Sequence, residues 1–302
     1  MTYLPMRVTE EVAQAIRDGT PVVALESNVI AHGFDYPANV DAAKAVERAV
    51  REGGAVPATI AIVDGAVVVG VDEATIERLA IEENVPKVSS RDIGYILATG
   101  GNGATTVASS LVFAELAGIR HFASAGLGGV HRGATRTMDI SSDLIQLTRS
   151  RVIAVCAGVK NILDVGLTLE FLETQCVPVI SFRSDDFPAF YCRTSGHRSP
   201  LRVDEPRLLA AMAQSHWAAG SPTGLVVTVP PTIEDALDID LAEKAVLEAL
   251  SDAETAGVTG KSVTRYLMRA VDRLTGGRSA EANQAVLVST ARTAAAIAVE
   301  GR

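Results

Sequence analysis

The chain is poor in aromatic side chains, in cysteine and in long apolar runs. Aromatic residues make up only 4% of the 302 residues, so a large core must be built mainly from alanine, valine, leucine and isoleucine. The three cysteines, Cys156, Cys176 and Cys192, are an odd number without metal-ligand spacing, which is typical of reduced cytosolic thiols. No run approaches the roughly 18 apolar residues that a membrane-spanning helix needs.

The chain also lacks clusters of basic residues, which narrows the class of protein further. Its formal net charge is -9, so it is a poor candidate for binding nucleic acid or an anionic membrane. The first nineteen residues include charged side chains such as Glu10 and Arg17, and they lack the apolar core of a secretory signal. We therefore expect a cytoplasmic protein that binds any anionic ligand in a local pocket.

Strand-like and helix-like segments alternate along most of the chain, which has 48% hydrophobic residues. Alternation of this kind predicts a largely parallel sheet covered on both faces, in a single domain that spans residues 1–302. Asp64-Gly65, between two apolar runs, predicts a hairpin and thus an antiparallel element in a mixed sheet. From Asp238 onwards we expect three helices. The predicted strands are 21–25, 59–63, 67–70, 119–125, 151–157, 177–182 and 224–229.

Polar residues cluster where the predicted strands end. Glu26 and Lys160 each follow a strand, the glycine-rich segment 126–133 follows another, and Lys87 belongs to the same set. In open α/β sheets, ligands bind outside the carboxyl ends of the strands. A desolvated lysine can lose its proton and attack a sugar aldehyde to form a Schiff base. A single lysine at a strand end is usually a surface group, so it is the combination of residues that favours a catalytic interpretation.

Two glycine-rich loops have both a structural and a functional interpretation. Gly100-Gly-Asn-Gly103 precedes a predicted helix over 104–118, and a glycine loop that opens a helix can bind an anion. An ordinary turn is an equally good interpretation of that loop. His131, in the second loop, has the chemistry of an acid/base group or of a neighbour of a metal, although a lone loop histidine is more often neither.

Asp139 and Asp143 are four residues apart at the start of another predicted helix. Asp139 suits an N-cap, because its carboxylate can accept from the free backbone N–H groups of the first turn. Asp143 has the alternative of holding a hard cation mostly through water. One carboxylate with waters suits Mg²⁺ or Mn²⁺ and does not suit zinc.

Taken together, five motifs resemble the pseudouridine-5'-phosphate glycosidases. The resemblance covers roughly residues 8–300, and several of the motifs are too long to match by chance. The motifs are Val22-Val-Ala-Leu-Glu-Ser27, Gly54-Ala-Val-Pro-Ala-Thr-Ile-Ala-Ile62, Asn102-Gly-Ala-Thr-Thr-Val-Ala-Ser109, Gly128-Gly-Val-His-Arg-Gly133 and Val155-Cys-Ala-Gly-Val-Lys160.

The resemblance implies a fold, a reaction and a set of site residues. The family cleaves or forms the C–C bond between C1' of ribose 5-phosphate and C5 of uracil. It implies an α/β/α sandwich with a mixed, mostly parallel central sheet, a homotrimer, and Mn²⁺ or a similar cation such as Mg²⁺. The matching positions are Lys160 for the Schiff base, Glu26 for acid/base chemistry, Lys87 as the second lysine, Asp143 for the metal, and Asn102, Thr106, His131, Ser141 and Asn283 for substrate binding.

Four departures from the family pattern bear on the acceptor that receives the sugar. Asn28, Val229, Arg265-Tyr266 and Ser90-Arg91 stand where the family has other residues, and the loss of an asparagine at Val229 removes hydrogen-bonding capacity. This pattern favours a branch of the family that joins ribose 5-phosphate to an aromatic polyketide in antibiotic biosynthesis. The alternatives are a pseudouridine 5'-phosphate glycosidase with neutral changes, and a non-catalytic sugar-phosphate binding protein, which would not need two lysines and a glutamate.

Overall fold

Runs of valine, alanine and isoleucine form the strands of the protein. The computed structural model describes residues 4–260 and 262–301, so residues 1–3, 261 and 302 of the predicted domain lie outside the described residues. The strands at the centre are buried on both faces, as expected for a parallel sheet. The strands are β1 Met6–Val8, β2 Val22–Glu26, β3 Val56–Val63, β4 Ala66–Val69, β5 Lys87–Val88, β6 Gly103–Thr105, β7 His121–Ala123, β8 Val130–His131, β9 Ile153–Cys156, β10 Leu163–Asp164, β11 Val179–Phe182, β12 Leu201–Val203 and β13 Leu225–Thr228.

Helices connect most of these strands, and a 3-10 turn follows β5. The three helices expected after Asp238 are present, and Asp238 caps the first of them by accepting from two backbone N–H groups. The helices are α1 Glu10–Arg17, α2 Asn28–His32, α3 Ala38–Glu52, α4 Glu73–Ile81, α5 Ile93–Thr99, α6 Val107–Leu116, α7 Ala134–Thr137, α8 Ser142–Leu147, α9 Val165–Thr174, α10 Pro206–Ala218, α11 Ile239–Thr255, α12 Ser262–Leu274 and α13 Arg278–Glu300.

Eleven strands form one mixed sheet, in the order β1-β4-β3-β2-β7-β9-β13-β11-β12, with β6 paired to β3 and β5 paired to β6. Within the described residues, its antiparallel pairs are β3–β4 and β3–β6. Asp64 and Gly65 link β3 to β4 with positive φ angles of 50° and 72°, which confirms the predicted hairpin. Strands β8 and β10 form a separate antiparallel pair. The mostly parallel mixed sheet predicted from the sequence is therefore confirmed.

The register of the central strands places several strand ends at one edge of the sheet. Ala123 of β7 pairs with Leu25 of β2 on one side and with Val155 of β9 on the other. Val155 in turn pairs with Val227 of β13. As a result Glu26, the glycine-rich segment after β7 and the segment after β9 all leave the sheet at the same edge.

Helices pack closely on the sheet because their contact residues are small. Helix α13 packs against α3, α10, β2, β7 and β9, while α6 packs against β2, β3, β7 and α8. The buried positions of α13 include Ala291, Ala294, Ala295 and Ala298. Alanine lets the backbones approach closely, which is how a chain with few aromatic residues fills its core.

The structure bears on two features of the sequence, namely its lack of long apolar runs and its three cysteines. None of the helices in the described part of the chain is long and apolar enough to cross a membrane. All three cysteines are free, with Cys156 and Cys192 buried and Cys176 exposed, as expected for unpaired thiols.

Candidate active site

Glu26, Lys87 and Lys160 line a single cleft at this edge of the sheet. Glu26 is the last residue of β2, and Lys160 follows β9 after a short loop. Lys87 differs from the expectation, because it is the first residue of β5 rather than a residue that follows a strand. A two-residue strand is too short to leave a periodic pattern in the sequence. The three side chains nevertheless come together as predicted.

The cleft consists of two neighbouring cavities. One, the small cavity, has a volume of about 250 Å³, and the other, the large cavity, has a volume of about 810 Å³. Five residues line both of them: Glu26, Asn28, Lys87, Lys160 and Thr264. A ligand that filled both cavities would therefore have its middle beside the two lysines and the carboxylate.

The two cavities differ in chemical character. The walls of the small cavity are mostly polar and include Ser89, Arg91, Thr106, His131, Ser141 and Asp143. The walls of the large cavity include four aromatic side chains and a methionine, namely Phe34, Tyr36, Phe190, Tyr191 and Met268. The small cavity thus suits a phosphorylated polyol, and the large cavity suits a flat, partly apolar group.

Lys160 is held by a loop that packs tightly on its neighbours. Gly158 has a φ of 83°, and a Cβ at this position would lie 2.1 Å from the carbonyl oxygen of Pro188, so only glycine fits. The next residue, Val159, is buried and forms a β-bridge with Leu127. The Nζ of Lys160 then donates to the carbonyl oxygen of Gly126 at 3.0 Å. The loop therefore fixes the position of the amine inside the cleft.

The carboxyl group of Glu26 lies in an environment that favours its protonated form. Burial raises the pKa of Glu26, while the positive charge of Lys160 and a hydrogen bond from Ser124 act in the opposite direction. The Oγ of Ser124 donates to Oε1 of Glu26 at 2.5 Å. A carboxylic acid that keeps its proton to higher pH is suited to act as a proton donor.

Lys87 and His131 are also shifted towards their neutral forms. Desolvation inside the cleft lowers the pKa of Lys87, and repulsion from Lys160 lowers it further. Desolvation likewise lowers the pKa of His131, against the attraction of Asp139. Perturbed titrating groups that cluster in a cleft are typical of functional sites.

Asp143 connects the small cavity to helix α6. Its Oδ1 accepts from the backbone N–H of Ala108 at 2.9 Å, and its Oδ2 accepts from that of Gly128 at 2.8 Å. A Cβ on Gly128 would lie 2.2 Å from the Oγ of Ser141 and 2.7 Å from Oδ2 of Asp143, so glycine is needed for this approach. The carboxylate thus occupies the N-terminus of α6, where anions are favoured.

The predictions for these loops need two corrections. The segment Gly100–Gly103 does not open a helix, because β6 intervenes and α6 begins at Val107. The loop instead contacts the β3–β4 hairpin, where Gly65 N–H donates to the carbonyl oxygen of Gly101 at 3.0 Å. Asp139 is not an N-cap, because Ser141 caps α8 and accepts from the N–H of Asp143. The i,i+4 spacing could not distinguish which residue begins the helix.

Four buried polar atoms in the described part of the chain have no hydrogen-bond partner, and all belong to residues that line the cleft. Unpaired buried polar groups are rare in folded proteins and need an explanation. A polar ligand that filled both cavities would supply the missing partners. The atoms are Asn28 Oδ1, Thr106 Oγ1, His32 Nε2 and Asn283 Oδ1.

Comparisons with known proteins decide the family of this chain. The family model described as indigoidine synthase A like protein matches residues 11–300. A Photorhabdus laumondii protein named pseudouridine-5'-phosphate glycosidase 1 is 57% identical over 296 residues, which cover 98% of this chain and 93% of the relative. A Dickeya dadantii protein named pseudouridine-5'-phosphate glycosidase is 56% identical over 293 residues, or 97% of this chain and 93% of the relative. The chain belongs to the pseudouridine-5'-phosphate glycosidase family.

Solved structures agree with this assignment. The prealnumycin C-glycosynthase AlnA, in complex with ribulose 5-phosphate, matches with a TM-score of 0.92 at 42% identity, covering 100% of this chain and 98% of that chain. An indigoidine synthase A-like protein from Thermotoga maritima matches with a TM-score of 0.90 at 31% identity, covering 99% and 97%. The family and the fold inferred from the motifs are confirmed, and the protein is an enzyme of the pseudouridine-5'-phosphate glycosidase family.

The residues that the family resemblance assigns to substrate binding do not all reach the cleft. Thr106, His131 and Ser141 line the small cavity, and Asn283 lines the large cavity. Asn102 lines neither. Its Oδ1 accepts from the backbone N–H of Asp64 and from Arg78, and its Nδ2 donates to Glu82. The structure thus places Asn102 between the β3–β4 hairpin and α4.

Asp143 is the residue that the family resemblance assigns to a divalent cation, and Glu26, Asp92 and Asp139 also line the small cavity. No group of three or more histidine, cysteine, aspartate or glutamate residues gathers around a point in the described residues. Asp143 is 7% exposed and already accepts two backbone hydrogen bonds, so it retains lone pairs but little freedom to move. This donor set fits Mg²⁺ or Mn²⁺ held by Asp143 and water, and it does not fit a structural zinc ion.

The residues that differ from the family pattern fall into two groups, according to whether they line the cleft. Asn28 and Arg265 line the large cavity, and Arg91 lines the small cavity. Val229 and Tyr266 line neither, and they pack instead against the hydrophobic core. The prediction of an aromatic acceptor therefore keeps only part of its basis. Neither Val229, which stands in place of the family's asparagine, nor Tyr266 lines the cleft.

Two residues that line the cleft were missed in the sequence. Ser124 lies beyond the end of β7 and contacts Glu26, and His32 lies one helical turn after Asn28 on α2. The i,i+4 spacing from Asn28 was a usable signal for His32.

Arg132 makes a bidentate ion pair with Glu243 at 2.6 and 2.7 Å and donates to the carbonyl oxygen of Asn161 at 2.9 Å. Arg132 therefore ties the loop that carries Lys160 to α11.

Proposed function

We propose that the protein is a pseudouridine-5'-phosphate glycosidase, which reversibly cleaves the C1'–C5 bond to release uracil and ribose 5-phosphate through a Schiff base on Lys160. The observation that carries this proposal is the position of Glu26, Lys87 and Lys160 on the walls of both cavities. In this arrangement the sugar phosphate binds in the small cavity and the base in the large one. The bond to be broken then lies beside the lysine amine.

The side chains divide the chemistry between them. Glu26 donates its proton to the ring oxygen as the C1'–O bond breaks, and Nζ of Lys160 gives up a proton to water and bonds to C1'. The C1'–C5 bond then breaks while C1'=N forms, and C5 of the released uracil takes up a proton. Water hydrolyses the imine, which returns the lysine amine and frees ribose 5-phosphate. Lys87 acts as a fixed positive charge or hydrogen-bond donor for the sugar phosphate.

A divalent cation held by Asp143 belongs to this proposal. It would supply positive charge beside the phosphate and sugar oxygens in the small cavity. We expect EDTA to remove most of the activity of the wild type and Mn²⁺ to restore it, whereas Asp143→Asn should have low activity that Mn²⁺ does not restore. Asp139→Asn is the companion variant, since Asp139 lines the same cavity, and an equal loss there would assign the cation to Asp139 as well. Manganese binding followed by EPR gives a readout independent of activity. Full activity of the wild type in EDTA would exclude the metal.

A second candidate function is the joining of ribose 5-phosphate to an aromatic acceptor. The volume of the large cavity, about 810 Å³, favours it, because this space exceeds what a single pyrimidine needs. The aromatic walls would stack on a polycyclic ring system. The reaction would use the same imine on Lys160, with the acceptor carbon attacking C1'.

Steady-state kinetics with pseudouridine 5'-phosphate distinguish the two candidates. We expect kcat/KM on the order of 10⁴ M⁻¹s⁻¹ or higher, within the range of efficient enzymes. A far lower value, together with coupling of ribose 5-phosphate to a planar aromatic carbon nucleophile, would favour the second candidate.

Borohydride reduction in the presence of ribose 5-phosphate should leave a covalent adduct on Lys160. If no adduct forms with any substrate, the protein is a binder of sugar phosphates.

A further inference from the structure

His32 and Arg265 meet in the large cavity from opposite parts of the chain. His32 ends the short helix α2, and Arg265 lies in the first turns of α12. A terminal nitrogen of the Arg265 guanidinium contacts Nδ1 of the His32 ring. Arg265 stands in one of the segments that depart from the family pattern, and nothing in the proposed mechanism uses this pair.

The contact determines which ring nitrogen carries the hydrogen atom. A guanidinium can only donate hydrogen bonds, so Nδ1 of His32 must accept, and the hydrogen atom must lie on Nε2. Burial, together with the charges of Arg265 and Lys87, lowers the pKa of His32 to about 4 and outweighs a hydrogen bond with the Val85 backbone that acts in the opposite direction, so the ring is neutral near pH 7. His32 therefore presents an N–H group at Nε2.

This N–H group lacks a well-formed partner. Nε2 of His32 is buried and forms no hydrogen bond of good geometry within the described residues, and the interaction of the ring with the Val85 backbone is the weakest influence on its pKa. The residue lines the large cavity. An unpaired buried donor is costly, and a ligand oxygen in the cavity would remove that cost. Asn283 of α13 lines the same cavity and has a buried Oδ1 without a partner. A donor and an amide on the walls of one cavity match a cyclic amide, which offers a carbonyl oxygen next to an N–H.

We propose that His32 determines the specificity for the aglycone by donating from Nε2 to one of its carbonyl oxygens, and that Arg265 positions His32 by holding its Nδ1 as an acceptor. The inference rests on the proposed function, since it assumes that the large cavity holds the aglycone. It assigns Arg265 a role that acts through the histidine ring rather than through the guanidinium charge itself.

Two substitutions of His32 test the donor. In His32→Gln a side-chain N–H remains near the position of Nε2, whereas His32→Leu has no donor. We expect His32→Leu to lower kcat/KM for pseudouridine 5'-phosphate about ten- to hundredfold, the usual effect of leaving one polar partner unmade. His32→Gln should recover most of that loss. Borohydride trapping with ribose 5-phosphate alone should be equal in all three proteins, because that sugar does not occupy the large cavity.

The outcomes of this experiment separate the inference from the proposed function. Wild-type kcat/KM in His32→Leu, or equal losses in the Leu and Gln variants, would overturn the role of the Nε2 donor. A loss of trapping in His32→Leu would also overturn it, since the ring would then act on the sugar. Absence of trapping in the wild type itself would instead refute the proposed Schiff-base function.

The role of Arg265 is tested by NMR signals that show which nitrogen of the His32 ring carries the hydrogen atom, in addition to activity. In ¹⁵N-histidine-labelled wild type we expect His32 to show a hydrogen atom on Nε2 and a bare Nδ1. Arg265→Met should change these signals and lower kcat/KM about tenfold. Arg269→Met is the matched control: Arg269 lies one turn further along α12, lines the same cavity and pairs with Asp35 at 3.1 Å. It should leave the His32 signals unchanged. A hydrogen atom on Nδ1 in the wild type would overturn the assignment.

Discussion

Replacing Lys160 with methionine should lower kcat for pseudouridine 5'-phosphate by a factor on the order of 10⁴ or more, because the covalent route through the imine is lost. The substitution keeps the length of the side chain and removes the nucleophile. Within the described residues, Nζ of Lys160 donates a single hydrogen bond, to the carbonyl oxygen of Gly126, so the fold should survive its loss. Single-turnover kinetics measure the loss, and circular dichroism with thermal unfolding checks the fold.

Two matched variants show whether the effect is nucleophilic or electrostatic. Lys160→Arg keeps a positive charge in the cleft but cannot form an imine, so it should be as inactive as Lys160→Met. Lys87→Met removes the other lysine that lines both cavities and should still give a borohydride adduct with ribose 5-phosphate. Substantial turnover by Lys160→Arg would mean that Lys160 contributes only its charge, and the Schiff-base mechanism would have to be abandoned.

Replacing Glu26 with glutamine should lower kcat about 10²- to 10⁴-fold, the range for loss of a positioned acid or base. Glutamine has nearly the same shape, and its Oε1 can still accept from Ser124. Burial raises the pKa of Glu26, so its acid form persists to higher pH than that of an exposed glutamate. Activity that depends on this proton should therefore fall as pH rises through the raised pKa. Glu26→Gln should lose that descending limb of the pH–rate profile.

Ser124→Ala is the control for this assignment. The hydroxyl of Ser124 stabilises the carboxylate form of Glu26, so removing it should raise the pKa of Glu26 further. We expect the descending limb of the profile to move to higher pH, with kcat at low pH largely kept. A limb that stays in place in Ser124→Ala, or that persists in Glu26→Gln, would show that another group supplies the proton.

Much of the fold was predictable because its signals are local. Each of the apolar runs that became β2, β7, β9, β11 and β13 is recognisable from its own residues, and the Asp64-Gly65 turn depends on two adjacent residues. The boundaries were less accurate: the strand predicted over 151–157 covers Ile153–Cys156. The short strands β5 and β6 were missed, since two or three residues carry no periodicity.

Part of the site was predictable for the same reason. Glu26 ends one buried strand and Lys160 follows another, and parallel strands bring their carboxyl ends to one edge. Asn102 shows the limit of matching by motif, since it lies within a family motif yet bonds to the hairpin and to α4. Val229 and Tyr266 show a second limit: a substitution can be read in the sequence, but the direction of its side chain cannot.

The sequence by itself determined the alternating α/β architecture, the family, and the three side chains most suited to the chemistry, because these follow from local periodicity and contiguous motifs. The tertiary structure alone decided which polar atoms meet. Asp143 accepts from Ala108 and Gly128, and Arg265 contacts His32 across 233 positions of the chain. Such contacts depend on how α6, α8, α2 and α12 pack around the sheet. Their geometry is set by side-chain volumes throughout the core, which no short stretch of sequence contains.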